Sequence, residues 1–182
     1  MRKKTMPELE RVSVEEFKAT DKAPFVFVLD NVRSLNNVGS FFRTADAFAF
    51  EGVCLCGITA KPPHRDIQKT ALGATESVDW RYFETGEHAA HKLKSEGFTI
   101  VAVEQAEYSI PLQEYPIGPE DKYALIFGHE VDGVSDELMA IVDQCIEIPQ
   151  FGTKHSLNVS VSAGVVAWEL FRKWKWPKPG KL

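Results

Sequence analysis

The sequence predicts an α/β fold, with one domain built on a mainly parallel sheet and helices on both faces. The chain has 182 residues and is 44% hydrophobic, which is enough for one well-buried domain and short for two. Short apolar runs alternate with helical patterns, as in proteins whose parallel strands are joined by helices. Most of the runs are apolar at consecutive positions, which indicates strands buried on both faces.

Six apolar runs mark the expected strands, and four segments with helical periodicity mark the expected helices. The strands are expected at 25–29, 52–57, 78–83, 99–103, 123–127 and 145–148, and the helices at 38–50, 85–96, 135–142 and about 157–175. The run at 78–83 is the most polar of the six.

The two ends of the chain are expected to lie outside the main domain at 25–175. Residues 1–24 are predicted to form a short helical lead-in, because Ser13 and Glu16 have the spacing of a capping box. Val14 and Phe17 are expected to dock it on the domain. Residues 176–182 form a basic tail.

Charge is unevenly distributed. The formal net charge of -5 at pH 7 argues mildly against a protein coated in nucleic acid. After Glu169, however, the chain carries basic residues and no acid, interleaved with two tryptophans: Arg172, Lys173, Trp174, Lys175, Trp176, Lys178 and Lys181. Such a segment can hold phosphates while its aromatic rings pack or stack, and a solvated, frayed tail is the alternative.

The cysteines indicate the compartment. Cys54, Cys56 and Cys145 are an odd number and lie in apolar, strand-like runs, so we expect buried free thiols and no disulfide. No pair of ligands at metal-binding spacing follows them, so no metal site is expected.

The chain has neither an apolar run of membrane-spanning length nor a charged-then-apolar leader, which points to the cytoplasm and to no membrane association.

Residues 29–50 run from the end of a predicted strand through a polar turn into an amphipathic helix. A helix that begins near Val38 places its apolar residues on one arc and Arg43 on the opposite side. Gly39 lies one turn before Arg43, so it is expected to leave the backbone open to whatever the guanidinium binds. The alternative is a solvated arginine paired with Asp46. This stretch alone leaves both explanations open.

The loops that follow the strands are where ligands are expected. In open parallel sheets, ligands bind outside the carboxyl ends of the strands. The polar loops at 70–76, 127–133 and 148–160 are therefore the candidate ligand-binding loops. The sequence contains no GxGxxG, GxxxxGK[ST] or GxSxG motif. Ser156 or Asn158 can cap the last helix, whose first turns are made of small residues. Such a helix permits close approach by a ligand or simply packs on a neighbouring element.

Three segments together resemble the sequence motifs of one family. They are NVGSFFR at 37–43, GHEVDG at 128–133, and Ile148-Pro149 followed by SLNVS at 156–160. In order and spacing this trio resembles the motifs of the SpoU/TrmH-type RNA methyltransferases of the SPOUT superfamily, over about residues 25–172. The resemblance implies S-adenosylmethionine-dependent methylation of a ribose 2′-hydroxyl in tRNA or rRNA by a homodimer. It also implies an α/β fold with a C-terminal trefoil knot, against which general topology rules argue.

The resemblance also assigns residues. It implies catalytic roles for Arg43, Asn37, Glu130, Ser156 and Asn158, and cofactor contacts from Leu72, Gly73, Gly128, Ile148 and Leu157. The chain has a short lead-in and ends soon after the last helix, so neither the appended RNA-binding domain of some members nor the long terminal helices of others is expected.

The chemistry suits these residues. A ribose hydroxyl is a poor nucleophile, so methyl transfer needs its proton removed or its oxyanion stabilised. We expect Arg43, aided by phosphate and Asn37, to orient the hydroxyl and either accept its proton transiently or stabilise the alkoxide. The other hypotheses are a catalytically silent RNA-binding module of the same fold and a methyltransferase that acts on a protein or small molecule.

Overall fold

A parallel sheet forms the centre of the molecule. The computed structural model describes residues 1–5 and 7–176. In the described chain seven strands pair in the order β3-β2-β1-β6-β4-β7-β5, and every pair is parallel. The strands are β1 (Ala23–Asp30), β2 (Phe50–Cys56), β3 (Trp80–Phe83), β4 (Phe98–Val103), β5 (Ile110–Pro111), β6 (Lys122–Phe127) and β7 (Gln144–Glu147). The predicted parallel sheet is confirmed, and β5 is an additional short strand at its edge.

Helices cover the sheet. They are α1 (Val14–Ala19), α2 (Leu35–Ala47), α3 (Arg65–Ala71), α4 (Ala74–Ser77), α5 (Gly86–Ser95), α6 (Asp136–Met139) and α7 (Val159–Lys175), and a single 3-10 turn spans Pro7–Leu9. Helices α3 and α4 were not predicted. Helix α6 is half as long as the expected helix at 135–142, because the chain turns after Met139 toward β7.

Alternating side chains on the strands build two cores, because successive residues of a strand face opposite sides. In β1, Phe25, Phe27 and Leu29 join the core under α2, α3, α4 and α7. Val26 and Val28 join the core under α5 and α6. Both faces of the sheet are therefore covered, which is why its strands are apolar at consecutive positions.

Helix α2 starts one turn earlier than predicted. Its N-cap is Ser34, whose hydroxyl accepts a hydrogen bond from the Asn37 amide at 3.3 Å, so Leu35 and not Val38 is the first helical residue. Phe41 packs edge-on against Phe27 and Phe127, with ring centroids 5.1 and 5.0 Å away. This contact sets the rotation of α2 on the sheet.

Gly39 does not leave the backbone open, contrary to the prediction. It is buried, and a Cβ at this position would come within 2.1 Å of Thr70 Oγ1 and 2.2 Å of the Ile67 carbonyl oxygen. The missing side chain therefore allows α3 to pack directly on α2.

The lead-in contains the predicted capping box. The Glu16 amide donates to the Ser13 hydroxyl and the Ser13 amide donates to the Glu16 carboxylate. Phe17 packs against the core, whereas Val14 stays exposed. Residues 177–182 of the predicted basic tail lie outside the described residues.

The cysteines are free thiols, as predicted, with Cys54 and Cys56 buried and Cys145 half-buried. Along the described residues, no helix has the length and apolar character needed to cross a membrane.

Candidate functional site

A cleft of about 740 Å³ lies at the carboxyl ends of β4, β6 and β7. It is lined by the loops that follow these strands and by the start of α7, as expected for an open parallel sheet. Six of the predicted site residues line it: Gly128, Glu130, Ile148, Ser156, Leu157 and Asn158.

The loop after β6 folds back on itself beside the cleft. The amides of His129 and Gly133 each donate to the other residue's carbonyl, at 2.9 and 3.0 Å. A Cβ on Gly128 would lie 2.1 Å from the Gly133 backbone, so only glycine fits there. Gly133 itself has a φ of 75°, a left-handed conformation that favours glycine. This tight fold places Glu130 at the tip of the loop.

Glu130 joins this loop to the start of α2. Its carboxylate accepts hydrogen bonds from the Arg33 amide at 3.0 Å, the Ser34 amide at 2.8 Å and Asn37 Nδ2 at 3.1 Å. Partial burial alone would raise the pKa of the Glu130 carboxyl, but these hydrogen bonds outweigh it and lower the pKa below its ordinary value. Glu130 is therefore ionised at neutral pH.

Asn158 joins the same network to α7. Its Nδ2 donates to Asn37 Oδ1 at 3.2 Å. Its Oδ1 accepts from the Ser160 and Val161 amides at 3.0 and 3.3 Å and so caps the helix. The hydrogen-bonded chain Glu130–Asn37–Asn158 therefore connects the three segments whose sequences resemble the family's motifs.

Asp30, which the sequence did not single out, anchors the far end of the loop after β6. This buried carboxylate accepts from the Ser135 amide and hydroxyl at 3.1 and 2.9 Å and from Asn31 Nδ2 at 2.9 Å. An aspartate at the end of an otherwise apolar strand was the available signal, because a buried carboxylate needs hydrogen-bond donors.

Carboxylates dominate the charge of the cleft. Its described lining contains five acidic residues and no lysine or arginine: Glu104, Glu130, Asp132, Asp136 and Glu147. Glu104 also holds the loop after β6, since its carboxylate accepts from the Val134 amide at 3.2 Å. Glu104 and Gln105 were missed as lining residues although they directly follow β4, where the strand-end rule places ligands.

Four predicted residues lie outside the cleft lining: Asn37, Arg43, Leu72 and Gly73. Asn37 is linked to the lining by its hydrogen bonds with Glu130 and Asn158. Arg43 is exposed on α2, six residues or about 9 Å along the helix axis from Asn37. It forms no ion pair with Asp46 in the described chain, and Asp46 accepts a hydrogen bond from the Ser77 hydroxyl instead. Leu72 and Gly73 form the exposed turn between α3 and α4, with φ of 49° and 90°.

Ser156 reaches the cleft without joining the network. It lines the cleft and is exposed, and within the described residues its hydroxyl has no hydrogen-bond partner. It is free to bind a ligand.

The chain resembles proteins that modify RNA. It is 31% identical over 173 residues to a tRNA (guanosine(18)-2'-O)-methyltransferase of Thermus thermophilus, covering 95% of this chain and 86% of the relative. A relative from Staphylococcus saprophyticus is 32% identical over 160 residues, and the match covers 88% of this chain and 63% of the relative. The chain therefore spans less than two thirds of that relative's length.

The fold resembles a solved structure of the same kind. An AdoMet-bound rRNA methyltransferase from Sinorhizobium meliloti superposes with a TM-score of 0.76 at 26% identity, covering 86% of this chain and 59% of that one. The family model described as the SpoU rRNA Methylase family matches residues 24–168, a range that includes the whole hydrogen-bonded network and the described strands except Ala23, the first residue of β1. The chain belongs to the SpoU rRNA Methylase family.

Proposed function

We propose that the protein transfers a methyl group from S-adenosylmethionine to a ribose 2′-hydroxyl in tRNA or rRNA. The observation that carries the proposal is the hydrogen-bonded chain Glu130–Asn37–Asn158, which joins three segments at the rim of the cleft. The relatives support the reaction, since they include a tRNA 2'-O-methyltransferase and an AdoMet-bound rRNA methyltransferase. The catalytic domain is proposed to be residues 25–175, with 1–24 as a lead-in.

The cleft suits S-adenosylmethionine. A ligand with a sulfonium and an ammonium group is attracted by the five carboxylates of the lining. Ile148 and Leu157 offer apolar surface for the adenine, and Gly128, which lines the cleft, is proposed to contact the cofactor through its backbone. The cofactor, when bound, supplies an electrophilic methyl carbon. Leu72 and Gly73 do not reach the cleft, so we do not propose contacts from them within this chain.

Glu130 is proposed to position other groups and not to act as a base. Its carboxylate accepts three hydrogen bonds and its pKa is lowered, so it binds a proton weakly at neutral pH. It holds the start of α2 through the Arg33 and Ser34 backbone amides, and it holds the Asn37 side-chain amide in place. The free hydroxyl of Ser156 is available to bind the ribose, and Arg43 is left to orient the 2′-hydroxyl or stabilise its alkoxide.

A homodimer is proposed as the working form. Helix α7 exposes an apolar stripe of Val161, Val165 and Trp168, which are 52%, 40% and 49% exposed. Such a stripe favours burial against a second copy of the chain. The Trp168 ring lies 6.2 Å from the ring of Phe48, which follows α2, so the stripe adjoins the helix that carries Arg43. Because Arg43 lies outside its own cleft, we propose that it serves the cleft of the partner.

The trefoil knot and the cytoplasmic location are also proposals. Strand β7 follows β6 in the chain but lies between β4 and β5, and Gln105 Nε2 donates to the His155 carbonyl at 2.7 Å. These features support a C-terminal segment threaded through earlier loops. The free thiols suit a reducing compartment.

Replacing Arg43 tests the function. Arg43→Ala is expected to lower methyl transfer to total tRNA or rRNA by about 100-fold or more, because one transition-state donor is lost. Its affinity for S-adenosylmethionine, measured by calorimetry, should stay within a few-fold of wild type, because Arg43 is proposed to act on the ribose 2′-hydroxyl and not on the cofactor. Arg43→Lys, which keeps the charge and loses the planar fork, should be only partly active.

Two results would contradict these assignments. Normal turnover by Arg43→Ala would remove Arg43 from the mechanism. RNA binding by the wild type without cofactor binding or methyl transfer would favour the alternative, a catalytically silent RNA-binding module.

A further inference from the structure

We propose that the turn after β1, the loop after β2 and Tyr82 of β3 form a binding surface for the RNA strand beside the methylated nucleotide. This surface, called the Tyr82 surface below, consists of Arg33, Ile58, Lys61 and Tyr82. None of the four lines the cleft. The inference rests on the proposed function, because it takes RNA as the partner.

Hydrogen bonds hold the loop after β2 against the turn after β1. The buried Thr59 hydroxyl accepts from the Val32 amide at 2.9 Å and donates to the Leu29 carbonyl at 3.1 Å. The Ile58 amide donates to Asn31 Oδ1 at 3.2 Å. Loop and turn therefore form one rigid unit and present their outward side chains together.

An aromatic ring and an aliphatic side chain are exposed on this unit. The Tyr82 hydroxyl donates to the Gly57 carbonyl at 3.1 Å, which ties β3 to the loop. The ammonium of Lys61 lies 4.0 Å from the centroid of the Tyr82 ring. Tyr82 is 39% exposed and Ile58 is 66% exposed. Exposed aromatic and apolar groups of this kind stack with the bases of single-stranded nucleic acid.

The charge of the surface suits phosphate. Arg33 and Lys61 are exposed, and in the part of the chain that the structure describes neither forms an ion pair with a carboxylate. Two exposed cations without a carboxylate partner make this surface locally positive on a chain whose net charge is -5. Lysine and arginine beside stacking surfaces are the pattern of a nucleic-acid contact.

The Tyr82 surface is continuous with the candidate site. The amide of Arg33 donates to Glu130 at 3.0 Å, and Glu130 binds Asn37. A strand whose ribose reacts beside this network therefore passes its neighbouring nucleotides over Arg33 and toward Lys61 and Tyr82.

Charge-removing variants test the phosphate contacts. We expect Lys61→Gln and Arg33→Gln each to weaken binding of total tRNA or total rRNA about threefold or more and to reduce the slope of log affinity against log salt by about 0.7 to 0.9. Their affinity for S-adenosylmethionine should not change. The control Lys92→Gln removes a lysine on α5, which covers the face of the sheet opposite to the face that α2 covers. This variant should bind RNA as the wild type does.

Two variants at Tyr82 separate the ring from its hydroxyl. Tyr82→Leu loses both, and RNA affinity should fall about fivefold or more. Tyr82→Phe loses only the hydrogen bond to Gly57 and should keep wild-type RNA affinity. Equal losses in both variants would overturn the stacking role.

The surface and the proposed function fail in different ways. Unchanged affinity and salt slope for both tRNA and rRNA in Lys61→Gln and Arg33→Gln would overturn the Tyr82 surface even if the wild type methylates RNA. A wild type that methylates no RNA would overturn the function, whatever these variants bind.

Discussion

Asn158 uses both ends of its side-chain amide, and the two uses can be separated by substitution. Asn158→Asp keeps the oxygen that caps α7, so the free energy of unfolding should stay within about 0.5 kcal/mol of wild type, since aspartate caps as well as asparagine. It loses the donor to Asn37 and adds a negative charge next to that oxygen. Methyl transfer should therefore fall about tenfold or more, because small misplacements at a reacting centre are costly.

Asn158→Ala is the matched variant. It removes the cap as well, which should lower the free energy of unfolding by about 1 kcal/mol in urea denaturation. Full activity of Asn158→Asp would show that the link to Asn37 has no part in the reaction.

At the scale of residues, the family resemblance singled out three groups that meet in the structure, but it did not predict how they bond, nor that Arg43 would lie outside the cleft. Asn37, Glu130 and Asn158 were chosen by resemblance, and all three meet in one network. The exclusion of Arg43 from the cleft depends on the rotation of α2, which Phe41 sets by packing on Phe27 and Phe127. Periodicity along one helix cannot supply that rotation relative to a distant loop.

At the scale of elements, the packing of α3 on α2 depends on Gly39. Gly39→Ala places a methyl group within 2.2 Å of both Thr70 Oγ1 and the Ile67 carbonyl. Overpacking of this kind should lower the free energy of unfolding by about 1 to 3 kcal/mol. Urea denaturation measures it.

Ser40→Ala on the same helix is the control. Among the described residues, the Ser40 hydroxyl donates only to the Asn36 carbonyl of its own helix. Alanine has the higher helix propensity, so stability should not fall. An unchanged stability of Gly39→Ala would mean that the close approach of α2 and α3 is not required.

The elements that the sequence missed are those with little apolar signal. Helix α3 buries only Ile67 and Ala71, which is too few for a helical period to be recognised, and α4 and β5 are only four and two residues long. The strands of the central sheet were found because burial on both faces makes them continuously apolar. The ends of α2 and α6 were misplaced because caps and turns, and not apolar periodicity, decide where a helix starts and stops.

At the scale of the whole molecule, the stripe on α7 predicts the oligomeric state. The wild type should be a dimer by sedimentation equilibrium, and Val165→Glu should be a monomer, because a charge in a buried apolar interface is costly. If Arg43 serves the partner's cleft, the monomer should also lose methyl transfer while it still binds S-adenosylmethionine.

Val12→Glu adds the same charge at an exposed valine of the lead-in, which is not part of α7, and should leave the dimer intact. A dimeric Val165→Glu protein, or an active monomer, would remove the role proposed for the stripe.

The most direct test of the central claim is the identity of the methylated atom. The purified wild-type protein is incubated with total tRNA and rRNA and isotope-labelled S-adenosylmethionine, and the digested nucleosides are analysed by mass spectrometry. We predict labelled nucleosides whose methyl group is on the ribose, with the label absent when Arg43→Ala replaces the wild type. Label on a base, or no label in RNA together with label in protein or small molecules, would contradict the account.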